Sequence, residues 1–151
     1  MKNTIEWLKE NLMTIYDGNP YIQLLGISIK KVEAGKAELC MPVITGKHTN
    51  LYQIAHGGAL ASLADSAMGI ACATTGKKVV TLEMNMNFIK GALPQAALIG
   101  VGQVVHHGKN TIIAEGEIWD SKNQLLVKAR GTFFVIGEFG ENNGQPKESS
   151  V

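Results

Sequence analysis

Asp65 lies in a run of small and apolar residues, Ala59-Leu60-Ala61-Ser62-Leu63-Ala64 before it and Ser66-Ala67-Met68 after it. A carboxylate buried there without a partner is costly, so it either bonds a neighbouring loop or rim, or serves as a general base or nucleophile. Eight positions earlier stands His56-Gly57-Gly58. If a helix starts at this triplet, its unpaired N–H groups and the positive end of its dipole can polarise a carbonyl oxygen at Gly57, and the glycines Gly57 and Gly58 let a substrate approach closely. The triplet is equally compatible with a plain helix start. Asn50, in the polar stretch just before, offers an amide donor to the same oxygen, and His56 reads as a cap or positioning residue.

Positioning these groups requires a long helix. Gly57 to about Thr75 is apolar nearly all round, as a helix enclosed by a sheet must be and a surface helix is not. Ahead of it, Asn3 and Glu6 resemble a capping box, and Ile5, Leu8, Leu12 and Ile15 recur at helical spacing up to Asp17-Gly18-Asn19-Pro20. Tyr21 to Leu25 reads as a short turn of helix closed by Gly26, and Ile27 to Glu33 and Lys36 to Val43 as a hairpin turning at Ala34-Gly35. After Gly76 the spans Val79 to Ile89, Ala97 to His107, Thr111 to Trp119 and Leu125 to Ile136 read as strands. The first of these sets Val80, Leu82, Met84, Met86 and Phe88 against Thr81, Glu83, Asn85 and Asn87, which predicts one core face and one polar face. One long helix with a consecutive antiparallel run gives an α+β domain whose sheet wraps the helix. The expected organisation is an N-terminal helix over 1–18, one domain over 19–138 and a disordered tail over 139–151.

With 151 residues, 18% charged, 45% apolar and a formal net charge of +1, the chain reads as one soluble globular domain rather than a nucleic-acid binder. Cys40 and Cys72 lack metal or redox spacing and are expected to be buried thiols. His106 and His107 are adjacent on a strand, so they diverge, and no metal site is indicated. Polar residues from His56 to Ser66 argue against a membrane span, and the first ten residues carry no export pattern, so a cytoplasmic location is expected.

The stretch from Asn50 through His56-Gly57-Gly58 to Asp65 resembles the phenylacetate-pathway (PaaI-like) branch of the hot-dog thioesterases, and the likeness extends from about Asn19 to Ile136. The resemblance implies a hot-dog fold that hydrolyses an acyl-CoA thioester without a cofactor, with sites shared between subunits of a homodimer or tetramer. Carried over by position, Gly57 and Asn50 hold the thioester oxygen, Asp65 is base or nucleophile, His56 positions, and Thr81 places water. Lys90 and Lys109 match strand ends where such proteins set basic residues near CoA phosphates, with Arg130 a third candidate. The chain departs from the family at Gln53, where glycine is common. Either the loop takes another path or the Gln53 amide enters the acyl pocket.

One inference needs no family. Gly57 and Asp65 are about 12 Å apart along a helix axis at about 1.5 Å per residue, too far for both to meet one carbonyl at an attack distance of about 3.5 Å. A site using both must take Asp65 from a second subunit. The competing readings are an acyl-CoA-binding module without turnover, which has no need of Asp65 at the carbonyl, and a hot-dog dehydratase, for which no paired histidine and acid are found.

Overall fold

In the computed structural model, the described residues run from Thr4 to Gly140. Helix α1 (Thr4–Asp17) and the short α2 (Pro20–Leu25) precede a hairpin, β1 (Ser28–Glu33) and β2 (Lys36–Pro42). After a loop come α3 (Gly57–Ala73) and the strands β3 (Lys77–Phe88), β4 (Ala97–His107), β5 (Thr111–Trp119) and β6 (Leu125–Glu138). All pairings are antiparallel, in the order β1-β2-β4-β5-β6-β3, so β1 and β3 form the edges. This is the hot-dog arrangement, with the sheet curved around α3. Asn19 caps α2 by accepting the Tyr21 N–H, and Gly26 ends it in the left-handed conformation.

The core lies between the sheet's concave face and α3. Leu60, Leu63, Ala64, Ala67, Met68, Ile70 and Ala71 of the helix are buried against Leu39, Met41, Leu98, Ile112, Ile118 and Phe133. Close approach depends on Gly102, where a Cβ would stand 2.1 Å from the Ala67 carbonyl oxygen. Helix α1 adds a smaller cluster, with Leu8 and Leu12 packed around Ala73.

Four expectations need correction. The alternation of β3 is broken by a bulge between Thr81 and Glu83. Val79 packs toward the core before it and Met84 and Met86 after it, so Thr81 faces α3 while Val80 and Leu82 are 46% and 58% exposed instead of core. Second, Cys40 is only partly buried, unlike Cys72. Third, β6 continues to Glu138, and the Phe139 N–H bonds the Gly76 carbonyl while its ring lies against Trp7, so the expected tail does not begin at 139. Residues 141–151 and Asn3 of the expected capping box lie outside the described residues. Fourth, Asp65 is partly exposed rather than buried, and it accepts from the Thr81 hydroxyl. Among the described residues no helix is long and apolar enough to cross a membrane.

Candidate active site

The N-terminus of α3 is assembled by hydrogen bonds from the preceding loop. His56 is the N-cap, and its Nδ1 accepts the Gly58 N–H at 2.8 Å. That bond occupies the Gly58 donor, so Gly58 contributes room rather than a polarising N–H. The Gly57 N–H has no acceptor among the described residues and is the donor left for a ligand. Phe88 walls this point, since a Cβ on Gly57 would lie 3.5 Å from its ring, and the adjoining cleft of about 250 Å³ also reaches Leu60, Lys90 and Gly91.

Asn50 organises the loop and keeps one donor. Its Oδ1 accepts the N–H groups of Tyr52 (2.9 Å) and Ile54 (3.2 Å), its own N–H bonds the Ile54 carbonyl, and Thr49 bridges Ala55. The Nδ2 group has no partner among the described residues. Gln53 sits at φ 60°, the left-handed conformation that favours glycine. The Gln53 side chain is exposed and lines neither the Gly57 cleft nor the Asp65 cavity.

Sequence reasoning missed His48. The ring is 1% exposed; Nδ1 accepts the Ile44 N–H at 2.9 Å, and Nε2 faces the Leu25 carbonyl at 2.7 Å, so Nε2 carries the proton. The His48 carbonyl accepts the His56 N–H, which ties the cap of α3 to the end of α2. A single histidine in a polar loop carries no periodic signal that would have singled it out.

Asp65 lies two turns further along α3. It is partly exposed, and Oδ1 accepts the Thr81 hydroxyl at 2.7 Å, so the bulged register puts Thr81 on Asp65 of its own chain. One carboxylate oxygen is thereby held and the other has no partner among the described residues. Beside it opens a cavity of about 190 Å³ whose walls include Tyr16, Ile22, Ser66, Gly69 and Phe133. Burial, reinforced by the nearby Asp65 charge, pushes the Cys72 thiol up to about 12, so it stays protonated and is no competing nucleophile. Glu83 accepts from the Thr132 hydroxyl.

The cleft at Gly57 and the cavity at Asp65 are thus separate in one chain. The candidate CoA lysines divide the same way. Lys90 follows Phe88, which pairs with Val127, whereas Lys109 precedes Thr111, which pairs with Phe134. Seven residues of strand, about 23 Å, separate those levels. Two lysines expected to act together therefore stand at opposite ends of the sheet, Lys90 with Gly57 and Lys109 with Asp65. Arg130 is ion-paired with Glu115 at 2.7 Å on the sheet's outer face, away from both. No cluster of metal-ligating side chains occurs among the described residues.

A family model described as the thioesterase superfamily matches residues 52–127. The chain is 31% identical to the acyl-coenzyme A thioesterase PaaI of Escherichia coli, over 85% of this chain and 91% of that protein. The solved structure of E. coli PaaI superposes with a TM-score of 0.84 at 29% identity, covering 90% of this chain and 98% of that one. A hypothetical thioesterase from Streptococcus pneumoniae solved with coenzyme A gives 0.73 at 29% identity, covering 76% and 91%. That streptococcal protein has also been solved with an aspartate and a threonine, sixteen positions apart, each replaced by alanine. Sequence, fold and neighbours agree: the chain belongs to the thioesterase superfamily, in its PaaI-like hot-dog branch, and is a thioester hydrolase.

Proposed function

We propose that the protein hydrolyses an acyl-CoA thioester to the free acid and CoA, at sites each built from the Gly57 end of one subunit and the Asp65 end of another. The observation that carries this reading is the separation of a free N–H at Gly57 from an open carboxylate at Asp65 on one rigid helix. Strand β3 supports it. It pairs only with β6, and its other edge, next to the exposed Val80 and Leu82, is free among the described residues, as a surface that receives a second copy would be.

In the assembled site the thioester oxygen accepts from the Gly57 N–H and the Asn50 amide, which stabilise the negative charge that develops on it. Asp65 of the other subunit takes a proton from water as the water oxygen attacks the carbonyl carbon, and returns it to the departing CoA sulfur. Thr81 holds the carboxylate, and its hydroxyl oxygen can accept from that water. Direct attack by Asp65, giving a mixed anhydride that water then opens, uses the same atoms. The sixteen-residue spacing of Asp65 and Thr81 matches the pair altered in the streptococcal relative. Lys90 from one subunit and Lys109 from the other then fall at the same site, where they serve the CoA phosphates. Every step uses groups of this chain and water, with no cofactor, and a CoA substrate suits a cytoplasmic enzyme.

The test is thiol release from a panel of acyl-CoAs. Wild type should turn over, and Asp65→Asn should retain CoA affinity while kcat falls by about two to four orders of magnitude. Tight binding with no turnover by wild type would instead identify a non-catalytic acyl-CoA module.

A further inference from the structure

The loop between β2 and α3 is polar and largely exposed, yet His48 within it is buried. With Thr74 it is one of two buried polar side chains among the described residues. All four of its hydrogen-bonding groups meet backbone. Besides the ring bonds to Ile44 and Leu25, its N–H donates to the Ile44 carbonyl at 2.9 Å and its carbonyl accepts the His56 N–H at 2.7 Å. Satisfying buried backbone groups is one use of this ring. Its position gives it another.

The bond from His56 to the His48 carbonyl closes the base of the loop that carries Asn50, with Thr49 bridging Ala55 just inside it. On one side of this junction stands the Asn50 amide. On the other stands the Gly57 N–H, whose peptide is held through the His56 carbonyl by the N–H groups of Ala59 and Leu60. The spacing of the two donors is therefore set at the junction, and the His48 ring fixes the junction to α2. Leu25 ends α2, and its carbonyl takes the Nε2 proton where the helix offers no further donor. Helix α2 also reaches the first turn of α3 directly. The Ser62 hydroxyl gives its one proton to the Gly58 carbonyl at 2.8 Å, so the Tyr21 hydroxyl donates to Ser62 Oγ at 2.6 Å. Both α2 and His48 lie outside the span 52–127 matched by the family model.

We propose that α2 braces the polarising end of the site, with His48 as the positioning residue through which it acts and Ser62 as its second contact. The brace holds the Gly57 N–H and the Asn50 amide at the spacing one thioester oxygen requires. This rests on the reading of those two groups as holders of that oxygen. Such donors work at about 2.7 to 3.1 Å, and a displacement of about 1 Å costs on the order of a hundredfold in rate. A loosened junction should lower kcat and leave KM nearly alone, because these bonds strengthen as charge develops on the oxygen.

Two variants divide the ring. Asparagine sets an acceptor where Nδ1 stands and cannot reach Leu25, whereas glutamine carries an amide donor out to the place of Nε2. Polarisation is read without turnover from the 13C shift of the ketone analogue of phenylacetyl-CoA, in which CH2 replaces the sulfur. Its carbonyl carbon moves downfield when donors hold the oxygen. In His48→Asn, well below its Tm, kcat for phenylacetyl-CoA should fall about tenfold with KM within about twofold, and most of the downfield shift should vanish. His48→Gln should regain much of both. A folded His48→Asn with wild-type kcat and shift, and only a lower Tm, overturns the proposal and leaves the hydrolase reading intact; so does a loss that His48→Gln does not recover. If neither variant folds, Ser62→Ala decides, since alanine suits a helix. There kcat lower by about two- to fivefold with a smaller shift upholds the brace, and wild-type values overturn it. If wild type turns over no acyl-CoA, the hydrolase reading fails and the shift alone is the judge: present in wild type and lost in His48→Asn, it upholds the brace, and any other pattern overturns it.

Discussion

The two ends of α3 are built from different materials. At Gly57 the working group is a backbone N–H, held by a relay of short bonds from Leu25 through His48 to His56, with Asn50 locking the loop alongside. At Asp65 the working group is a side chain, fixed by one hydroxyl and facing an open cavity. The first end has little freedom to change without loss of the helix start. The second is bounded by side chains from α1, α2, β3 and β6, each replaceable on its own. In the proposed function the backbone end polarises the thioester oxygen and the side-chain end supplies the base or nucleophile.

The sharpest way to break this division is to damage the two ends in different subunits. Asp65→Asn and Asn50→Ala each spoil every site of their own homodimer. Unfolded together and refolded, half the dimers formed by random assortment would hold one site with both defects and one with none. Activity should return to about a quarter of wild type, against orders of magnitude less in either parent. Assembled heterodimers that stay inactive would show that the two ends do not meet.

A smaller effect separates the lysines. Lys90→Ala and Lys109→Ala should each raise KM by about three- to tenfold with little change in kcat, because a phosphate contact holds ground and transition states alike, and added salt should narrow the difference. If acyl-CoA and acyl-pantetheine share one KM in wild type, neither lysine touches a phosphate. In the mixed dimer of Lys90→Ala with Lys109→Ala, one site should lose both contacts and the other keep both, giving two KM values.

The sequence carries most of the architecture in its periodicity. The apolar run after His56 specifies an enclosed helix, and β4 and β5 begin and end where their turn residues predict. The spacing of Gly57 and Asp65 was enough to expect that the two stand too far apart on one helix to meet one carbonyl, which is the ground of the shared site proposed above. What the sequence hides are events without a residue signature. A bulge adds one position to a strand and leaves no mark, so strict alternation put Thr81 on the polar face and Val80 in the core. Lys90 and Lys109 look alike until pairing places them at opposite ends of the sheet. Tyr16 belongs to a helix whose contact with α3 is a tertiary matter.

The smallest expected effect concerns Gln53, where the backbone end departs from its family. At φ 60° an L-residue other than glycine, asparagine or aspartate is strained by about 1 kcal/mol. Glycine relieves that strain and gives back part of the gain through its freer unfolded chain. Gln53→Gly should therefore stabilise the protein by less than about 1 kcal/mol, a rise in Tm of about 1 to 3 °C for a domain of this size. Gln53→Ala keeps the strain and removes the amide, so it separates backbone from side chain: Tm should stay near wild type. Because the side chain is exposed and absent from both the Gly57 cleft and the Asp65 cavity, neither variant should alter relative kcat/KM across acyl groups by more than about twofold. A larger shift shared by both would show that the Gln53 amide reaches the acyl group in the assembled site, and selectivity would then belong to the Gly57 end as well.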